Sequence, residues 1–448
     1  MNLSERRQGI HFYINVSNFD QVVSAEEEET RRVNHAIHAL DTYFRSIERF
    51  SKANFGDVLT IEKITGARLH LYVVDDVASA YHCVEIVVSY AFLLSKLVNK
   101  EIPKYKKLKD FEIQVGACFG HFYEFVFVHK NDNREKDFEE LTTIGFAANL
   151  AAKLQGLAGV YNICISEDIY DEIVDGTRIY ARCENTGLAK YKQKYYYEAR
   201  LEDLYQLHGV LVDMDEVKEY ANEVNLTDMN FPEARKTLTF DSLSKTNGKR
   251  IIGVPLFADV RDFTSKFHED DSNLVEMARK TEDILTKMYD VVKRNGGIHV
   301  QFQGDREEVL FHDIGEDSCY EKAVLTGMRL IDVVKGLGVH IGVGTDYGVL
   351  YATKIGARGE KDNILIGRTV ISADRLEDKA AGCDQIAISE ELYHCLVDAN
   401  SELVDFFEKT SLGVYVATIS YKEYLSTVTS RQHRLSTNKG DYNGAWGE

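Results

Sequence analysis

Apolar and polar positions along the chain alternate between two patterns. Short apolar or alternating runs read as strands, and longer runs with apolar residues every three to four positions read as helices. The second half shows this most clearly. Ile251–Val260 predicts a strand, and Asn273–Arg294 predicts a helix that Gly296-Gly297 ends. Ile298–Phe302 and Glu307–Phe311 flank Gly304-Asp305, the signature of a hairpin with turn residues in the middle. Cys319–Gly336 predicts a helix and Val339–Thr345 a strand. The most apolar stretch, Val84 to Val98, carries Glu85, Ser89, Ser95 and Lys96. It predicts a buried amphipathic helix, too short to span a bilayer.

The same order recurs in the first half. Ile163-Cys164-Ile165-Ser166-Glu167 matches Ile386-Ala387-Ile388-Ser389-Glu390 at an offset of 386 − 163 = 223. Val115-Gly116-Ala117 matches Ile341-Gly342-Val343, Ile144-Gly145 matches Ile366-Gly367, and Lys63–Gly66 matches Gln301–Gly304. Phe12–Phe19 matches Leu256–Phe263. Five matches in one order predict a tandem duplication. The copies span residues 8–205 and 249–425, each an α+β unit with a ferredoxin-like core. Residues 206–248 read as a polar, partly helical linker, and 426–448 as a tail without regular structure.

Composition narrows the function classes. The charge is 53 − 72 = −19, which disfavours nonspecific nucleic-acid binding. Three prolines in 448 residues leave long helices unopposed. Seven scattered cysteines without a CxxC predict a reduced, cytoplasmic chain with no disulfide framework or structural zinc. No signal-peptide core follows Met1, and no membrane partner is expected.

The copies differ where chemistry is expected. Asp259 ends the first strand of copy two and Asp305 sits in its hairpin turn; two such carboxylates can converge on hard cations. Copy one has Asn15 and Ala67 at those places. In the late helix the asymmetry reverses. Asn149 and Lys153 share a face of copy one at i,i+4, and copy two has Ile371 and Arg375 instead. A single composite site between the copies explains both losses.

These residues resemble the class III nucleotidyl cyclase family. Phe257–Thr264 looks like its first metal motif, Gln303-Gly304-Asp305 like its second, and Gly145–Lys153 like its helix motif. The resemblance implies two cyclase domains paired head to tail as an intramolecular pseudo-heterodimer, with two Mg²⁺ or Mn²⁺ ions. It implies that Asp259, Val260 and Asp305 hold the metals and that Asn149 and Lys153 act on ribose and transition-state phosphate. Lys153 stands where the family has arginine, which removes the bidentate fork. Lys190, Phe263 and Thr264 are implied substrate contacts. For the base, the family positions are Lys63 and Thr142; the lysine disfavours guanine, and the threonine replaces the aspartate of adenine enzymes. The fused arrangement looks like the pyrimidine cyclases of the bacterial Pycsar antiphage system. It implies CTP conversion to cyclic CMP, with uridylate or adenylate cyclase as alternatives and a non-catalytic nucleotide sensor as another. The partners implied are a nucleoside triphosphate and a downstream effector reached through the product, with the chain a monomer or homodimer.

Overall fold

The computed structural model describes residues 6–30, 32–129, 138–173, 179–191, 193–229, 231–261, 271–312, 314, 319–356 and 362–440. The first copy runs β1 (Arg7–Val16), α1 (Phe19–Thr30), α2 (Asn34–Phe55), β2 (Leu59–Thr65), β3 (Arg68–Val73), α3 (Val77–Glu101), β4 (Ile113–His129), β5 (Phe138–Gly145), α4 (Phe146–Leu157), β6 (Asn162–Ile165), α5 (Glu167–Glu172), β7 (Ala181–Glu184), β8 (Tyr195–Arg200) and α6 (Leu201–His208). After α7 (Met214–Asn222) the second copy runs β9 (Lys249–Val260), α8 (Asp271–Arg294), β10 (Ile298–Gln303), β11 (Arg306–His312), α9 (Tyr320–Gly336), β12 (Ile341–Thr345), β13 (Gly348–Ile355), β14 (Asp362–Ile366), α10 (Arg368–Lys379), β15 (Gln385–Ile388), α11 (Glu390–Asp398), β16 (Glu408–Lys409), β17 (Tyr415–Ala417) and α12 (Tyr421–Gly440).

Each copy builds one sheet, and the two orders correspond strand for strand: β2-β3-β1-β4-β6-β8-β7 and β10-β11-β9-β12-β15-β17-β16. In both, the first four strands of the order are the antiparallel ferredoxin-like core, and β6 or β15 adds in parallel. Even the irregularities repeat. The β2–β3 ladder shifts between Ile61 and Lys63, and the β10–β11 ladder shifts between His299 and Gln301, at the same offset of 238.

The strand registers correct one sequence match. Gly116 pairs with Cys164, and Gly344, not Gly342, pairs with Ala387, so the offset here is 344 − 116 = 228. A slip of two residues keeps every side chain on its face, which is why the shorter match looked equally good. The shared glycine has a packing cause. A Cβ on Gly116 would lie 2.1 Å from Gln155 N, and one on Gly344 would lie 2.1 Å from Glu377 N. In each copy the late helix, α4 or α10, rests directly on strand backbone.

The two copies complete each other's cores. Tyr123, Phe125, Phe127 and Ile144, from the β4–β5 arm of copy one, pack with Leu256, Phe302 and Met288 of copy two. Tyr351, Ile355, Ile364 and Ile366, from the β13–β14 arm of copy two, pack with Ile10, Phe12 and Leu71 of copy one. The exchange is reciprocal, as head-to-tail pairing requires.

Two expectations change. The helix over Val84–Val98 is longer, Val77–Glu101, because Asp76 caps it by accepting from Ser79 N at 3.1 Å. At 25 residues it is long and apolar enough to cross a bilayer, yet 61% of its most apolar window is buried inside the fold. The tail expected from residue 426 continues instead as α12 to Gly440. Tyr421 and Tyr424 pack against the second core, and Lys422 N bonds Asp332 at 3.0 Å. With that anchor and no proline, the polar stretch extends a helix already begun. Residues 441–448 lie outside the described residues.

Candidate active site

The two candidate metal carboxylates approach one another through strand register. Asp259 pairs with Arg306 across β9 and β11, so Asp305 lies one residue beyond it in the hairpin turn. Gly304 holds that turn with φ +67°, a left-handed conformation that glycine adopts without strain. Burial, then Asp305 and Asp259, raise the Tyr191 hydroxyl above its ordinary pKa, so this copy-one ring lies within electrostatic reach of the pair. Asp259 keeps 29% of its side chain exposed. The donor set is carboxylate oxygen, which suits hard divalent cations. Val260 has its side chain in the second core, so what it can offer a cation is its carbonyl oxygen.

Two arginines brace this corner. Arg261 meets Glu377 at 2.6 Å and Asp259 at 3.5 Å, and donates to the carbonyls of Glu377 and Ala381. Arg306 lies over the Phe257 ring and meets Asp374 at 2.5 Å and Glu377 at 3.2 Å. Burial opposes the Arg306 charge, but Asp374, Glu377 and Asp259 more than restore it. Each guanidinium is tied to α10, so the pair fixes β9 and β11 against that helix.

Copy one supplies the other wall. A Cβ on Gly304 would sit 3.4 Å from Asn149 Oδ1, so the α4 amide faces the Gly304-Asp305 turn of copy two. Lys153, one helical turn on, is exposed. Lys190 belongs to the 3₁₀ turn Thr186–Tyr191, beside the ring that feels both aspartates. Phe263 and Thr264 lie outside the described residues.

Lys63 and Thr142 take a different position from an open base pocket. Lys63 Nζ lies 3.0 Å from Glu140 Oε1 and donates to Phe302 O at 2.8 Å, and it is 5% exposed. Burial opposes its charge, but Glu140 and Glu62 hold its pKa above the ordinary value. Glu140 also accepts from Phe302 N at 2.8 Å and meets His299 at 3.4 Å. The mirror contact exists too: Ile64 N donates to Asp362 Oδ2 at 2.7 Å. Lys63 is thus a strut between the copies, and a base reaches it only by exchanging with Glu140. Thr142 is fully buried, with its hydroxyl unpaired.

A buried relay stands behind Lys63. Glu62 accepts from Thr143 N at 3.0 Å and Thr143 Oγ1 at 2.6 Å, and lies 2.9 Å from His70 Nδ1. His70 Nε2 is 3.0 Å from His11 Nδ1. Although burial opposes it, His70 holds Glu62 down at about 2. The relay locks β2 to β5, the two strands that carry Lys63 and Thr142.

Sequence reasoning missed Tyr191, Glu140 and the two bracing arginines. Tyr191 had a signal, adjacency to Lys190. Glu140 had none, because its partners lie 77 and 162 residues away. The mirror-image position between the copies is a cavity of about 290 Å³, lined by Asn15, Ala67, Arg68, Ile371 and Arg375 among others. Asn15 and Ala67 stand there at the positions that match Asp259 and Asp305 of copy two.

No family model matches the chain. It is 22% identical over 445 residues to a uridylate cyclase of Pseudomonas aeruginosa, covering 91% of this chain and 81% of that protein. It also superimposes on the crystal structure of a class III adenylyl cyclase-like ATP-binding protein from Pseudomonas aeruginosa. That match has a TM-score of 0.67 and 19% identity, over 94% of this chain and 90% of the other. The whole tandem arrangement, not one half, is therefore the shared fold.

Proposed function

We propose that this chain, a class III nucleotidyl cyclase by fold and by sequence relationship, converts a pyrimidine nucleoside triphosphate to its 3′,5′-cyclic monophosphate and pyrophosphate. One observation carries the site assignment: the Asn149 amide of copy one faces the Gly304-Asp305 turn of copy two, and each copy lacks what the other supplies.

In this reading copy two is the metal side and copy one the base and transition-state side. Asp259, Asp305 and the Val260 carbonyl would hold two divalent cations, Mg²⁺ or Mn²⁺, which when bound would supply acidification of the ribose 3′-hydroxyl and charge neutralisation of the triphosphate. Asn149 hydrogen-bonds the ribose and sets the hydroxyl in line with the α-phosphorus. The 3′-hydroxyl gives its proton to solvent, its oxygen forms a bond to that phosphorus, the bond to the bridging oxygen breaks, and pyrophosphate leaves with the electron pair. Lys153 places positive charge against the oxygens of the α-phosphate as charge develops. Lys190 is the candidate to meet the charge of the departing pyrophosphate.

Lys63, a donor only, would suit the ring carbonyls that cytosine and uracil both carry, once the base takes the place of Glu140 against its ammonium. Thr142 decides between them, as acceptor from the cytosine amine or donor to uracil O4. The sequence reading favours CTP, and the uridylate cyclase relative supports UTP as the second reading. The product would act as a cytoplasmic second messenger in antiphage defence, read by a separate effector.

The test is incubation of the full chain with Mn²⁺ and each of the four ribonucleoside triphosphates, with mass-spectrometric identification of products. Cyclic CMP or cyclic UMP is expected, abolished by Asp259→Ala and by Asp305→Ala. Purine cyclic nucleotides alone, or normal turnover by either variant, would overturn the reading.

A further inference from the structure

A second cluster of donor groups lies where α6 meets α3, outside the elements that form the candidate active site. His82 and Glu85 are three residues apart on α3 and share a face, and His208 is the last residue of α6. Each offers one donor atom, and the three lie within 4.8 Å of one another. His208 Nε2 is 3.3 Å from Glu85 Oε2, and the two imidazole rings are edge to face with centroids 5.5 Å apart. We propose that His82, Glu85 and His208 bind one divalent transition-metal ion of the Zn²⁺ type, which clips α6 to α3.

Two observations carry this. The first is spacing. Ligands about 2.0–2.2 Å from a tetrahedral zinc lie roughly 3.3–3.5 Å apart, and the His208–Glu85 distance is already in that range. The second is the lack of competing partners. Among the described residues, none of the three side chains makes a hydrogen bond to another group, and His208 Nε2 is shut off from solvent. A carboxylate and an imidazole left that way lack compensation for their burial.

The donor chemistry separates this site from the active-site carboxylates. Two imidazole nitrogens and one carboxylate suit Zn²⁺, Co²⁺ or Ni²⁺, whereas an all-oxygen set suits Mg²⁺ or Mn²⁺. His82 is exposed, so a metal has an entry path and room for water as a fourth ligand. Its place in the fold suggests a structural use. α6 closes copy one, and Gly209, left-handed at φ +58°, turns the chain into the segment leading to copy two. A metal here pins that exit point to the core helix.

The experiment uses the full chain carrying Asp259→Ala and Asp305→Ala, so that the active-site carboxylates do not compete. The metal-stripped protein is titrated with Co²⁺ and with Zn²⁺. One equivalent of Co²⁺ with the visible bands of a low-coordinate nitrogen–oxygen site is expected, together with a Zn²⁺-dependent rise in melting temperature. His82→Ala, an exposed change that leaves the fold intact, should weaken binding more than the 10–100-fold that loss of an outer partner costs. His208→Ala should do the same, and Mg²⁺ should not substitute. Absence of Co²⁺ bands in the parent, or bands and thermal shift that persist in both histidine variants, would overturn the proposal.

Discussion

The Lys63–Glu140 strut makes a quantitative prediction about how the halves are held together. The two side chains are 5% and 9% exposed, 3.0 Å apart, and belong to the copy-one strands that abut Phe302 of copy two. Removing one member of such a pair leaves a buried charge uncompensated, at a cost of about 3–5 kcal/mol. Lys63→Met should therefore lower stability by that amount, and so should Glu140→Gln, which keeps an acceptor for Phe302 N but strands the ammonium. The double variant has no stranded charge. It should be less destabilised than the sum of the singles by at least about 1.5 kcal/mol, the usual scale for one interacting network. Urea denaturation followed by far-ultraviolet circular dichroism measures all four corners of the cycle. Additivity within about 0.5 kcal/mol would refute the claim that these residues act as a coupled buried pair.

Three further outcomes are expected. Lys153→Ala should cut kcat by about 10²–10³ through loss of transition-state charge, while Lys153→Arg should retain turnover; equal activity of all three proteins in a pyrophosphate-release assay would remove Lys153 from catalysis. Gly344→Ala should destabilise the chain by about 1–3 kcal/mol or more, read as a lowered urea midpoint, because its Cβ would press on Glu377 N at 2.1 Å and lift α10. Stability should also fall on both sides of about pH 6.5. Burial, then His70, lowers His11 to about 3, so the unfolded chain takes that proton more readily and stability is lost as pH drops from 6.5. His299 runs the other way: burial opposes its charge, but hydrogen bonds to Glu140 and Glu307 hold it at about 9. Its contribution is complete below 6.5 and is lost as pH rises through 9. His11→Gln should flatten the acid limb of a urea-midpoint profile and His299→Gln the alkaline limb.

What the sequence disclosed followed from local chemistry. Gly304-Asp305 was legible because only a tight turn asks for that pair between two strands, and α8 was legible from its spacing. The duplication was legible too, except where a period of two hides a slip, as at Gly116 and Gly344. What stayed hidden depends on distant partners. Tyr123, Phe125 and Phe127 alternate like any half-buried strand, and nothing in them says that the core they fill lies in the other copy. Lys63 looked like a free base contact because Glu140 and Phe302 are 77 and 239 residues away. The helical tail was hidden because its composition favours no structure, and its anchor, Asp332, sits on α9.

The exchanged arms have a consequence for how the site assembles. Catalytic halves carried on separate chains meet by diffusion, and their site dissolves on dilution. Here the segment between residues 208 and 249 keeps the partners at an effective concentration on the millimolar scale typical of short tethers, and each partner fills a gap in the other's core. Specific activity should then be independent of enzyme concentration. On the proposed assignment the fusion also fixes composition: the half with Asp259 and Asp305 meets the half with Asn149 and Lys153, not a copy of itself.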